Sequence, residues 1–75
     1  MFEEIKDVIV NAIHVEAAKV IPSAKLREDL NIDSLSAVEL ALELETTFDI
    51  LIEDAELVGL VTVQDVMDVV SRKRA

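Results

Sequence analysis

The sequence has no cysteine, no tryptophan and no tyrosine, and it holds one glycine and one proline. Without cysteine, neither a disulfide framework nor a thiolate metal site can stabilise a small domain, so apolar packing must do it. Phe2 and Phe48 are its two phenylalanines, and the core must therefore be built from Val, Ile, Leu and Ala, which pack helices well. A single Gly and a single Pro cannot punctuate the many turns of a sandwich or barrel. An all-α fold is expected. Long apolar runs are missing too: nowhere do about 18 apolar residues follow one another. Met1 to Lys6 mix charged with apolar side chains, unlike the apolar segment of a secretory leader. These absences lead to the expectation of a soluble, cytoplasmic protein with no membrane insertion.

Seventy-five residues suit one domain spanning 1–75, and a chain of this size buries only about 60% of the surface its unfolded form exposes. A large enclosed active site is not expected, and nothing in the sequence calls for more than a monomer. The formal charge is −9, and its distribution carries more information than its size. Lys6, Lys19, Lys25 and Arg27 precede Glu28, and Arg72, Lys73 and Arg74 follow Ser71, so every Lys and Arg lies outside that stretch. Within it, acids from Glu28 and Asp29 through to Asp65 and Asp68 have no cation among them. Such a field repels nucleic acid and anionic lipid and steers partners that carry basic patches. Solubility alone is the plainer explanation, but the complete segregation favours docking.

Hydrophobic periodicity places the helices. Phe2, Ile5, Ile9, Ala12 and Ile13, widened by Val8, form one stripe of an amphipathic helix from Phe2 to about Val15. Glu16 to Asp33 has no sustained period, and Pro22 forces Ile21 out of helical geometry. A loop this long is functional or packed by its own side chains, and Val20, Leu26, Leu30 and Ile32 can do that packing. Asp33 then fits the N-cap of a second helix from Ser34 to about Phe48. Ser36, Glu39, Glu43 and Thr46 make its single polar stripe, and the remainder is apolar over much more than half the circumference. Such a helix lies at the centre of a bundle or leaves apolar residues exposed for a partner. A short helix is expected from Asp54 to Val58, ended by Gly59. Thr62, with Asp65 three residues on, resembles a capping box opening a final helix that buries Val63, Val66, Met67 and Val70. The expected architecture is a four-helix bundle: three longer helices, one short one, and a long loop between the first and second.

Self-sufficient catalytic groups are scarce. His14 is the only imidazole, there is no thiol, and no Gly-rich loop precedes a helix, so an enzyme is not expected. The acids Glu53, Asp54 and Glu56 lack the ligand alternation and glycine of an EF-hand loop, and no metal site is expected. Ser34 stands apart because it opens a long helix directly after an acidic cap. A phosphodiester on its hydroxyl would lie beside amide hydrogens and the positive end of the helix dipole. Position alone does not distinguish this from an ordinary helix-start serine.

Leu30-Asn31-Ile32-Asp33-Ser34-Leu35, continued by Val38-Glu39-Leu40, then Phe48-Asp49 and Thr62-Val63-Gln64-Asp65, resembles the acyl carrier protein family. Asp-Ser-Leu alone is a weak signal, but after Glu28-Asp29-Leu30 and before an acidic, apolar helix at mid-chain it is strong. The resemblance implies a discrete carrier in fatty acid biosynthesis, with no catalytic residue of its own. A phosphopantetheinyl transferase would move 4′-phosphopantetheine from coenzyme A to Ser34, with Asp33 as the acidic neighbour, and the terminal thiol would hold acyl groups as thioesters. Leu35, Glu39, Leu42, Glu43 and Glu45 would meet basic docking patches of the transferase, acyl transferase and fatty acid synthase enzymes. Val38, Ala41, Leu44, Ile52, Leu57 and Leu60 would line a cleft for the acyl chain. Periodicity does not separate exposed from buried apolar residues on so apolar a helix, so Leu35 and Leu42 fit docking and core equally well. Asn31 and Ile32 stand where the family has a Gly-Ala-like pair, and Asn still reaches left-handed geometry, so the turn survives. Ser36, Thr46 and Thr47 thin the acidic face, and Glu53 replaces a common proline, loosening the start of the short helix. A specialised carrier for polyketide, aminoacyl or lipid-modification chemistry, and an unmodified helical interaction module, are the alternatives.

Overall fold

A computed structural model of the chain describes residues 2–74. Met1 and Ala75, the ends of the expected 1–75 domain, lie outside the described residues. Among the described residues four α-helices follow in order: α1 Phe2–Ile13, α2 Ser34–Phe48, α3 Asp54–Val58 and α4 Val63–Arg74. The all-α expectation is met, with three longer helices, one short one, and the long connection between α1 and α2.

The amphipathic stripe of α1 puts Ile5 and Ile9 fully into the core. The helix stops two residues before the expected Val15, because His14 takes a left-handed φ of 62° while its amide still donates to the Val10 carbonyl at 2.9 Å. The connection from 16 to 33 is not featureless: it contains a 3₁₀ turn at Ala17–Lys19. Its packing is as expected, with Val20, Leu26, Leu30 and Ile32 all buried. Main-chain bonds add a seam that periodicity does not show. Leu26 donates to the Val61 carbonyl at 2.8 Å, Val63 to Ala24 at 3.0 Å and Gln64 to Pro22 at 2.9 Å, while Lys25 and Thr62 form an isolated antiparallel bridge. These bonds satisfy backbone groups that burial of the loop's apolar side chains takes out of water. They also pin the loop to the start of α4.

Helix α2 begins where expected, with the Asp33 carboxylate accepting from the Ser36 amide at 2.8 Å. It ends on Asp49 in the left-handed conformation, a geometry that Asn and Asp tolerate better than most residues. One side of α2 sends Leu40, Ala41, Leu44 and Phe48 into the core, and α1 packs against it. Helix α4 buries Val63, Val66, Val69 and Val70, with Met67 half-buried. Its start is a reciprocal cap: Asp65 donates its amide to the Thr62 hydroxyl at 3.2 Å, and the Asp65 carboxylate accepts from the amides of Thr62 at 3.1 Å and Val61 at 3.0 Å. Held through its own amide by Thr62, Asp65 thereby secures two amide donors of the loop with its carboxylate. Replacing it by alanine is expected to cost about 0.5–2 kcal/mol, read as a lower urea midpoint with an unchanged slope. A midpoint equal to that of the parent would refute this role.

Candidate functional site

The loop and α2 meet at Ser34. Asn31 turns the chain through a left-handed φ of 56°, as expected for the residue standing in a glycine's place. Ile32 is buried beneath the turn and donates its amide to the Leu26 carbonyl at 2.9 Å. Asp33 caps the helix, and hydrogen bonding from the Ser36 amide, foremost, and then its hydroxyl holds the Asp33 carboxyl below its ordinary value. Ser34 follows as the first helical residue and is exposed. The structure modifies one detail: the Ser36 amide is already engaged by the Asp33 carboxylate, so it does not wait for a phosphate.

Beside Ser34 opens a cavity of about 400 Å³ between α2 and α3. Leu26, Ile32, Ala37 and Leu40 line its loop and α2 sides, and Asp54, Leu57 and Val58 its α3 side. Val38, Leu57 and Leu60, three of the residues expected in an acyl-chain cleft, line it together with Ser34 and Arg27. Ala41, Leu44 and Ile52 do not; they are core residues, 7%, 1% and 8% exposed. Ala41 and Leu44 lie one and two turns farther along α2 than Val38, on the side that the core covers. Leu26, Arg27 and Val58 border the cavity without any signal in the sequence, since nothing in the periodicity brings loop 16–33 and α3 to opposite sides of one opening.

On the outer side of α2, Leu35 is 68% and Leu42 57% exposed, so neither is a core residue. Glu39 and Glu43 are exposed near them. Glu45 is half-buried and turned inward, its carboxylate accepting from the Ile52 amide at 2.8 Å. It therefore folds the segment after α2 back on the helix.

Glu53 does not loosen the start of α3. Its amide, which proline would lack, donates to Glu56 Oε1 at 3.1 Å. Glu56 also pairs with Lys73 at 2.7 Å and Arg72 at 2.9 Å, so the C-terminal cations return to the acidic stretch from which sequence order separates them. No group of three or more His, Cys, Asp or Glu among the described residues is arranged to hold a metal ion. The hydrogen-bonded Lys73 ammonium, first, then the Glu53 amide and Arg72 bring the Glu56 carboxyl from the ordinary 4.5 down to about 2, against an opposing contribution from desolvation. Asp65 and Asp68 of α4 line a hollow together with Glu56. A carboxyl held lower in the folded state stabilises it above pH 4.5, and that contribution fades as pH falls from there towards 2. The stability difference between the parent and Glu56→Gln is thus expected at pH 7 and should vanish near pH 2 in urea titrations. A difference independent of pH would contradict the assignment.

A family model described as phosphopantetheine attachment site matches residues 3–70. The chain is 43% identical over 75 residues to an acyl carrier protein of Thermosynechococcus vestitus, covering all of this chain and 93% of that one. The chain belongs to the acyl carrier protein family. An acyl carrier protein of Aster yellows witches'-broom phytoplasma is 42% identical over 67 residues, 89% of this chain and 88% of its own. One of Campylobacter concisus is 39% identical over 72 residues, 96% and 94% of the two chains. The prosthetic group of the family is covalent 4′-phosphopantetheine, and the site described above fits it: an exposed hydroxyl stands at the mouth of an apolar cavity. No helix among the described residues is long and apolar enough to cross a membrane.

Proposed function

We propose that Ser34 is the attachment residue and that the chain, as a single domain, carries acyl groups as thioesters through fatty acid biosynthesis in the cytoplasm. The observation that carries this reading is the position of Ser34, exposed at the first turn of α2 and bordering the apolar cavity. In the attachment step the Ser34 oxygen forms a phosphodiester with the phosphopantetheine phosphate of coenzyme A. The phosphoanhydride bond to 3′,5′-adenosine diphosphate breaks, that nucleotide leaves, and the serine proton passes to a base of the transferase. The chain supplies an accessible hydroxyl and a surface to dock on, and it is a substrate rather than a catalyst. Bound phosphopantetheine supplies the thiol that carries the acyl group.

Exposed Leu35 and Leu42 beside Glu39 and Glu43 support docking of transferase, acyl transferase and synthase enzymes that present basic patches around an apolar contact. Glu45 contributes through the segment it holds. Incubating the purified chain with coenzyme A and a phosphopantetheinyl transferase should raise its mass by one phosphopantetheine. No gain would refute the carrier reading and favour an unmodified interaction module. Offering the modified chain to a malonyl transferase and an aminoacyl-activating enzyme tests the pathway: loading by the second alone would replace fatty acid synthesis with a specialised route.

A further inference from the structure

Helix α3 is the least firmly seated element around the cavity. Five residues are too few for a helix to stand on its own backbone bonds, and none of the five is buried. It has a hollow on either side. Towards α2 lies the apolar cavity, bordered by Asp54, Leu57 and Val58. Towards α4 lies a second hollow of about 270 Å³, where Ala55, Glu56 and Gly59 meet Asp65, Asp68 and Arg72. Half-buried Leu57 packs against the core, but packing of this kind does not fix a short helix between two open spaces.

Two directed contacts from α4 do so, and both converge on one carboxylate that also caps the start of α3. Glu56 accepts from Lys73 at 2.7 Å, from Arg72 at 2.9 Å and from the Glu53 amide at 3.1 Å. The side chains of Glu56 and Lys73 are only 21% and 25% exposed, so water and salt screen this pair less than a surface pair. The far end of the tie is firm, because α4 is held by its capped first turn and four buried valines. One acidic side chain thus joins the first turn of the short helix to the last turn of α4.

We propose that Glu56, Lys73 and Arg72 form a latch that draws α3 towards α4 and away from α2, and so keeps the cavity open to longer apolar chains. The occupant's identity rests on the carrier reading; the latch itself does not. Without this tie α3 is free to settle onto α2 and close part of the cavity; with it, the long side chains of Lys73 and Arg72 let α3 move further towards the second hollow as the cavity fills.

Amide hydrogen exchange on the unmodified chain tests the latch independently of any carrier role. In Glu56→Gln, and separately in a Lys73→Gln, Arg72→Gln double variant, exchange of the Leu57, Gly59 and Leu60 amides should rise about three- to tenfold. The amides of Ile9 and Leu44, which exchange through global opening, should remain far slower than those of α3 in both variants, so that the rise in α3 reports local opening. Amides of α3 that exchange only as slowly as these core amides would overturn the latch. Unchanged exchange in α3 in both variants would overturn the latch. A second measurement addresses capacity: saturated acyl chains of increasing length are placed as thioesters on the phosphopantetheine of the modified chain, and their cleavage by hydroxylamine is timed. The latch variants should protect only shorter chains than the parent does. An identical length profile would overturn this role in capacity. Failure of Ser34 to accept the prosthetic group would instead refute the carrier reading, and the exchange rates of α3 would still decide whether the latch exists.

Discussion

A Ser34→Ala chain should gain no mass with coenzyme A and transferase, yet melt within about 0.5 kcal/mol of the parent in stability, the range of an exposed substitution. The two effects separate because neighbouring residues divide the work. The cap of α2 is the Asp33 carboxylate on the Ser36 amide, and Ser34 is free of that duty. Alanine is also a favourable helical residue. Asp33→Ala should show the converse: loss of the cap, costing about 0.5–2 kcal/mol, with the hydroxyl still present. Intact mass and thermal melting measured on both variants decide the matter. A mass gain that persists in Ser34→Ala would place the attachment elsewhere.

The second large effect is expected on the same helix. Leu44→Ala should cost about 2–5 kcal/mol, because the side chain is 1% exposed and its removal leaves a cavity in a close-packed core. Small domains are marginal, with total stabilities of about 5–15 kcal/mol at most for ordinary chains, so much of the population should unfold. Leu42→Ala, two residues earlier, points the other way: residues two apart are about 200° apart around a helix, and Leu42 is 57% exposed. Its truncation should leave the urea midpoint nearly unchanged and raise the transferase KM about fivefold, the loss typical of an exposed apolar contact at an interface. Equal midpoints for the two variants would contradict the assignment of the two faces. A transferase KM unchanged in Leu42→Ala would remove that residue from the docking surface.

Comparing Glu45 with Glu56 shows how tertiary placement reassigns charges. Both stand in the acidic stretch, and in sequence neither has a cation near it. Glu45 turns to the Ile52 amide and Glu56 to Lys73 and Arg72, so neither belongs to the free acidic surface that Glu39 and Glu43 present. The one-sign field is real along the outer side of α2. At α3 it is locally neutralised by a segment that sequence order places at the far end of the chain. Arg74 adds to this return, its guanidinium lying 5.3 Å from the centre of the Phe48 ring, within cation–π range.

Local chemistry made much of the molecule readable from its residues. The helix class, the start of α2 at Asp33, the reciprocal cap of Thr62 and Asp65, and the left-handed turn at Asn31 each depend on side chains acting within a few positions of themselves. Such interactions are encoded in short stretches, and so was the Asp33-Ser34-Leu35 context. Only the tertiary structure decided which apolar residues of α2 face outward, since a helix apolar over most of its circumference has no periodicity that separates Leu42 from Leu44. It also decided that the cavity lies between loop 16–33, α2 and α3, and that Glu56 answers to the last turn of α4. These depend on segments distant in sequence being brought together by burial, a force without direction along the chain, and local pattern carries no record of which segments will meet.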